Sequence, residues 1–177
     1  MQPNALAVGR RTVRDADYHY LFRVRRLTVG DSVTLFDGAG GEAAAVVAEI
    51  HPDHAMLEVA EPALRERSSS CDLTIALAMI KGERMDWCIQ KLVELGVSRI
   101  IPLHTARTVV DLRGPRADKR RRRYASIAAA AARQSRRAWL PEITEITELA
   151  QLWPRLAERE HKLALWTGES DRSLIDA

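Results

Sequence analysis

The sequence predicts two units, a small β-rich module followed by an α/β domain with helices against a parallel sheet, and three observations carry that expectation. Short alternating segments separated by Gly- and Pro-bearing turns fill the first 60 residues. A charged stretch running into three serines, residues 65–70, has the composition of a linker and cannot bury itself. Beyond it the pattern changes to nearly continuous apolar strands alternating with helical stripes. The boundary therefore falls at the serines, giving a first module at 1–70 and a second at 71–177.

Within the first module, Asp17 is placed to cap a short helix through Tyr20, Leu21 and Val24, since a short acidic side chain can accept from free first-turn amides. Residues 32–36 alternate as a strand, 37–41 form a glycine-rich turn, and 42–51 supply the next strand with Val46, Val47 and Ile50. Pro52 and Asp53 turn the chain toward a strand at 55–60. In the second module, residues 73–80 read as a strand buried on both faces. From Glu83 a helix carries Met85, Ile89, Leu92 and Leu95 on one stripe and stops at Gly96. Residues 97–103 form the next strand. A helix opened by Asp118 turns Tyr124, Ile127, Ala128 and Ala131 inward and ends near Arg137. Thr147 caps a third helix bearing Leu149, Leu152 and Leu156, bent at Pro154, and residues 162–167 complete the alternation as a strand.

The 177 residues are 46% hydrophobic and 29% charged, which excludes a disordered tail, a collagen-like fibre and a disulfide-stapled miniprotein. Cys71 and Cys88 lack a partner motif, which points to a reduced, cytoplasmic compartment. No apolar run reaches the roughly 18 residues of a membrane span, so no membrane partner is expected. The formal net charge is only +3, but eleven Arg and Lys lie between Arg107 and Arg137 against two aspartates, a local charge of +9 that leaves −6 for the remainder. Such polarisation attracts polyanions, nucleic acid first among them; a solvated helix face is the competing explanation.

The glycines of FDGAGGE (36–42) join two strands rather than a strand and a helix, so they read as a hairpin turn and not a phosphate loop. His51 and His54 flank a Pro-Asp turn without a third ligand, and no metal site is expected. No nucleophile elbow, Walker loop or triad spacing occurs, which removes support for hydrolase and nucleoside-triphosphatase readings. Two segments remain. In KGERMDWCIQKLVELGV (81–97) the polar residues Lys81, Arg84, Gln90, Lys91 and Glu94 lie off the apolar stripe, either solvated or functional, and Lys91 and Glu94 are spaced to pair. In AAAAARQSRRAWLPEI (128–143) a close-packing helix face ends in Arg133, Gln134, Arg136 and Arg137, with Trp139 just beyond. That end can hold phosphates and stack a base, or its arginines simply complement the helix dipole.

Together with HYLFRVRRLTVGDSVTLFDGAGGE (19–42) and IIPLHTART (100–108), these segments resemble the bacterial 16S ribosomal RNA uridine N3-methyltransferases, the small-subunit methyltransferase E family of the SPOUT superfamily. The specific part is the order: a strand ending in FDG, KGERM with QK and ELGV on one helix, IPL followed by Arg107, then Gln134, Ser135, Arg137 and PEI. The resemblance implies an α/β protein in which an N-terminal PUA-like β-barrel grips RNA and precedes a SPOUT-type domain whose trefoil knot binds S-adenosylmethionine. It also implies a homodimer and, as partner, the 16S rRNA of the small ribosomal subunit. RNA and phosphate positioning falls to Arg23, Arg25 and Arg26 in the first module and to Lys81, Arg84, Arg107, Arg133, Gln134 and Arg137 in the second. Cofactor contact falls to Leu165, Trp166 and Thr167, at the end of the strand leading to the knot. The resemblance supplies no catalytic base.

Ala106, Arg133, Arg136 and Trp139 depart from the family pattern, which usually has glutamate, glutamate, glycine and a basic residue there. The family's GPEGG loop and its later leucine- and arginine-rich loop do not occur in these residues, so the α/β domain reads as incomplete, with the knot segment absent. A methyltransferase is therefore expected, with a non-catalytic RNA-binding protein or inactive fragment, and a plain α/β scaffold, as alternatives. An exposed helix end is expected to tolerate Arg133→Glu with Arg137→Glu.

Overall fold

The computed structural model describes residues 6–66, 71–108, 114–159 and 161–165. The front module begins with a strand the hydrophobic pattern did not single out, β1 (Gly9–Val13), because GRRTV hides its alternation behind charge. Arg10 faces outward and pairs with Glu49 and Glu58, while the half-buried Arg11 turns its Nε to the Ala7 carbonyl at 3.0 Å. A helical segment follows as α1 (Asp15–Tyr18) and a π-helical stretch (His19–Val24). It starts two residues before the expected cap, so Asp17 lies inside the helix and caps nothing. Tyr18 and Phe22 are buried with ring centroids 5.1 Å apart, and the Tyr18 hydroxyl donates to the His51 carbonyl at 2.7 Å.

That segment packs on an antiparallel sheet of β1, β2 (Ser32–Phe36), β3 (Gly41–Ile50), β4 (Ala55–Val59) and β5 (Ala63–Leu64), in the order β1-β4-β3-β2 with β5 on β3. Period-2 alternation puts Ala43, Ala45 and Val47 inside, where they meet Leu57, Val59 and the two aromatic rings. His51 and His54 sit on the expected exposed turn with their rings stacked, and the described residues contain no cluster suited to a metal.

The second module is a parallel sheet of β6 (Thr74–Ala78), β7 (Arg99–His104), β8 (Glu142–Ile143) and β9 (Thr147–Glu148), with β7 central. Its helices are α2 (Glu83–Leu95), α3 (Pro115–Ser135) and the short α4 (Leu152–Arg155). Met85, Ile89 and Val93 of α2 meet Tyr124, Ala128, Ala131 and Ala132 of α3 over one face of the sheet, and Leu152 covers Ile101 and Leu103 on the other. The alanines of α3 let the two helices approach closely.

Several expectations are corrected here. Strand β6 lies at the edge of the sheet formed by the described residues and is half-buried there, where burial on both faces was expected. Val93, not Leu95, continues the α2 stripe, because at 3.6 residues per turn Leu95 rotates outward and is 78% exposed. Helix α3 opens at Pro115 behind Gly114, where proline's missing N–H costs nothing, and Asp118 is only a first-turn acid. Thr147 is buried in β9 opposite Leu103 rather than capping a helix. Residues 161–165 form no strand, having no ladder partner among the described residues, and Leu163 and Leu165 are exposed. Trp166 and Thr167 lie outside the described residues.

The two modules are joined through main chain. The N–H of Gly40 donates to the Ala138 carbonyl at 3.1 Å, and that of Leu140 donates to the Gly38 carbonyl at 2.9 Å. Phe36 packs against the core of the second module. Arg65, read from composition as the start of a linker, is anchored: its N–H donates to Gly40, its guanidinium to Glu42 and the Arg136 carbonyl, and its carbonyl accepts from Trp139 Nε1 at 3.0 Å.

Two predictions follow from backbone geometry. A Cβ at Gly40 would fall inside the Trp139 ring, at a φ of +97° that L residues rarely adopt, so Gly40→Ala is expected to cost about 2 kcal/mol or more in denaturant unfolding. Trp139→Ala in the same chain should recover part of that loss, a non-additivity reporting direct contact. Arg136 ends α3 in the left-handed region (φ 55°, ψ 40°). Relieving that strain outweighs glycine's extra unfolded-state entropy, so Arg136→Gly should raise stability by about 0.5 kcal/mol, read as a higher Tm.

Candidate nucleic-acid interface

Parallel strands point their carboxyl ends one way, and that decides where each cation lies. The loops after β6 and β7 leave the sheet side by side, because Ala78 pairs with Leu103 and the Met79 N–H donates to the Leu103 carbonyl at 3.0 Å. Lys81 and Arg84 follow the first loop and Arg107 sits in the second, all exposed. Thr105 and Thr108 tie that second loop into a turn, with Thr105 N–H donating to Thr108 Oγ1 at 2.9 Å and Thr108 N–H to the Thr105 carbonyl at 2.9 Å. The carboxyl end of a parallel sheet is where ligands of such domains sit. The first turns of α3 begin at this same end and add Arg116, Lys119, Arg121 and Arg122, exposed cations that the residue-by-residue reading passed over although the charge count contained them.

Arg133, Gln134 and Arg137 lie elsewhere. Helix α3 runs back along the sheet for 21 residues, which puts its last turn about 30 Å from its first, at the amino end of the strands. There the front module docks. Arg133 lies 5.4 Å from the centroid of the Tyr20 ring and 3.5 Å from Asp17 Oδ1, reaching across the module boundary to the helical segment that carries Arg23. Arg23 itself leans over Tyr18 and toward the Pro52 carbonyl, while Arg25 and Arg26 are exposed just beyond. The structure thus divides the sequence-derived residues into two groups, Lys81, Arg84 and Arg107 at one end of the sheet and Arg23, Arg133 and Gln134 at the other.

Arg137 and Trp139 have work inside the fold. The Arg137 guanidinium donates to the Glu94 carbonyl at 3.2 Å and lies against Gly96, closing the C-terminus of α2. Charge reversal at Arg137 therefore breaks a fold contact, contrary to the tolerance expected of a solvated helix end. Trp139 rests on Gly40 with its Nε1–H committed to Arg65, so it does not stand clear to stack a base. The QK and ELG residues are likewise internally satisfied. Lys91 Nζ and Gln90 Nε2 donate to the two Glu94 oxygens at 2.7 and 2.9 Å, and these bonds hold the Glu94 carboxyl below its ordinary value of 4.5.

Of the expected cofactor residues only Leu165 is described; it is 85% exposed, on a stretch without strand partners among the described residues.

A front β module locked to a parallel α/β domain whose sheet carries exposed cations at both ends defines a two-module α/β protein. A family profile described as an RNA methyltransferase domain matches residues 67–176, and one described as an RNA methyltransferase PUA domain matches residues 13–59. The chain belongs to the RNA methyltransferase family, as its motifs led us to expect. Among its relatives, Ribosomal RNA small subunit methyltransferase E of Bacillus subtilis (strain 168) is 29% identical over 166 residues, covering 94% of this chain and 65% of the relative. The Synechocystis protein of the same name is 29% identical over 149 residues, or 84% of this chain and 47% of its own length. This chain therefore spans roughly half to two-thirds of those relatives. A putative methyltransferase from Legionella pneumophila, solved with the bound cofactor SAM, superposes with a TM-score of 0.87 at 29% identity over 96% of this chain and 70% of that one. The Ribosomal RNA small subunit methyltransferase E from Neisseria gonorrhoeae, solved bound to S-adenosyl methionine, gives 0.77 at 30% identity over 89% and 64%.

The Glu94 network makes a pH prediction. A carboxylate whose folded pKa is depressed contributes stability above its unfolded pKa and loses it as pH falls through the folded value. Glu94→Gln should thus be less stable than wild type at pH 7, and the gap should shrink on acidification below about 4.5. Denaturant midpoints of both proteins from pH 7 to pH 3 check this; a constant gap would mean that Glu94 titrates normally.

Proposed function

We propose that this chain belongs to an enzyme that methylates N3 of a uridine in 16S ribosomal RNA within the small subunit, with S-adenosylmethionine as donor, acting as a homodimer in the cytoplasm. The observation that carries the reading is the coincidence of two RNA methyltransferase profiles, over 13–59 and 67–176, with overall likeness to small-subunit methyltransferase E relatives. In net terms the uracil N3 exchanges its proton for a methyl group that the donor carries on sulfur.

The residues of this chain handle the RNA. N3 lies on the pairing edge, so the target base must be unpaired or flipped out before it reacts. Lys81, Arg84 and Arg107 hold phosphates at the carboxyl end of the sheet, and their field favours the anion that the ring becomes once N3 loses its proton. Arg23, Arg25, Arg26, Arg133 and Gln134 grip the RNA at the module boundary, where contacts to the backbone position the strand without reading its sequence. Arg137 serves the same surface indirectly by fixing the ends of α2 and α3.

A non-catalytic RNA-binding protein is the second reading, and the exposed cations at both ends of the sheet favour it as much as they favour the enzyme. Incubating the purified chain with unmethylated small subunits and S-adenosylmethionine, then digesting the RNA to nucleosides for mass spectrometry, separates the two. We expect 3-methyluridine that appears only with the donor. A methyl group on another atom would overturn the N3 assignment, and salt-sensitive RNA binding with no methylated nucleoside would favour the binding protein.

A further inference from the structure

We infer that the outward face of α3 is a phosphate track, along which an RNA backbone runs from the carboxyl end of the sheet to the front module. The inference rests on the RNA reading above and adds to its Arg133 a surface that reading does not include, Lys119 to Ala130. At 100° per residue, Lys119, Arg122, Ser126, Ala130 and Arg133 fall on one stripe opposite the buried Tyr124, Ala128 and Ala131, and all five are exposed. The stripe is about 21 Å long, cationic at each end and lined in the middle by small side chains that let a backbone approach.

Two observations argue that these cations serve an external anion. First, six of them (Arg116 and residues 119–123) crowd the first nine residues of α3 with Asp118 the lone acid. Arg116 is in the first turn, at the positive end of the helix dipole, where a cation is unfavourable, and Arg116, Lys119, Arg122 and Arg123 repel one another at i,i+3 and i,i+4. The helix gains nothing from them by itself. Second, of those six the one that finds a carboxylate is on the flank: Arg123 pairs with Asp86 of α2, while Lys119 and Arg122 on the stripe make no ion pair among the described residues. At the far end Arg133 is held by Tyr20 and Asp17, so the track continues onto the front module.

A fluorescein-labelled 20-nucleotide single-stranded RNA, titrated with the full chain at several salt concentrations, tests this. Lys119→Gln with Arg122→Gln should weaken binding about tenfold or more at low salt and flatten log K against log salt by about 1.4, two single-strand phosphates. Its Tm should stay level or rise, since two mutually repelling cations leave the helix. Adding Arg133→Gln should flatten the slope further by about 0.7. Arg123→Gln is the control and should leave the slope as it is. An unchanged slope in the double variant overturns the track alone. Absence of salt-dependent binding by wild type overturns the RNA reading and the track with it.

Discussion

The structure turns on the reciprocal main-chain exchange between the glycine turn of the front module and the segment leaving α3. Two amide–carbonyl bonds, Gly40 to Ala138 and Leu140 to Gly38, join the modules almost as strands of one sheet. Each bond is worth only about 1 kcal/mol net, but they fix geometry as side-chain contacts alone would not. Glycine is required because the Trp139 ring occupies the space a side chain would need. Phe36, the last residue of β2 and just before the turn, is partly buried and packs against the α2–α3 core of the other module. The arginines of the front module consequently stand in a set relation to those of α3.

That constraint explains why much of the polar character of the motifs is spent on structure. The last turns of α2 and α3 lie side by side at the amino end of the sheet, and each leaves carbonyls without intrahelical partners. Arg137 answers the carbonyl of Glu94, Arg65 answers that of Arg136, and Lys91 with Gln90 hold the Glu94 side chain in place. Arg137 shares a sequence neighbourhood with Arg133 and Gln134, which remain exposed. Composition treats them alike; only the turn of the helix separates the buttress from the grip.

The legibility of the sequence follows the same line. Strands β2 to β4, β6 and β7 and helices α2 and α3 were readable because each carries a full apolar period and a clear stop, as at Gly96. Strand β1 was not, since charged side chains occupy its outer face and one inner position. Thr147 misled because a threonine before an apolar run looks the same in a buried strand end as at a helix cap. The cationic residues were recognisable by charge, but their division between the two ends of the sheet depends on strand direction, and Trp139 looked available until its partners across the module boundary were seen. Contacts between units far apart in sequence leave no local periodicity to read.

Charge and rigidity then combine in one argument. At its C-terminus α3 places arginines where the dipole welcomes them, and there they are absorbed into fold contacts or held by Tyr20 and Asp17. Toward its N-terminus the helix carries more cations, which repel one another, and most of these stay without carboxylates among the described residues. A flexible tether would leave the two groups free to move independently. With the modules locked through Gly38–Gly40 and Ala138–Leu140, the ends of the proposed RNA track are fixed, and in that reading the second contact follows the first without further ordering cost, so that modest individual attractions compound. The glycine turn and the basic helix, which share no sequence feature, are thus parts of one device: the turn sets the distance and direction over which the helix presents its charge.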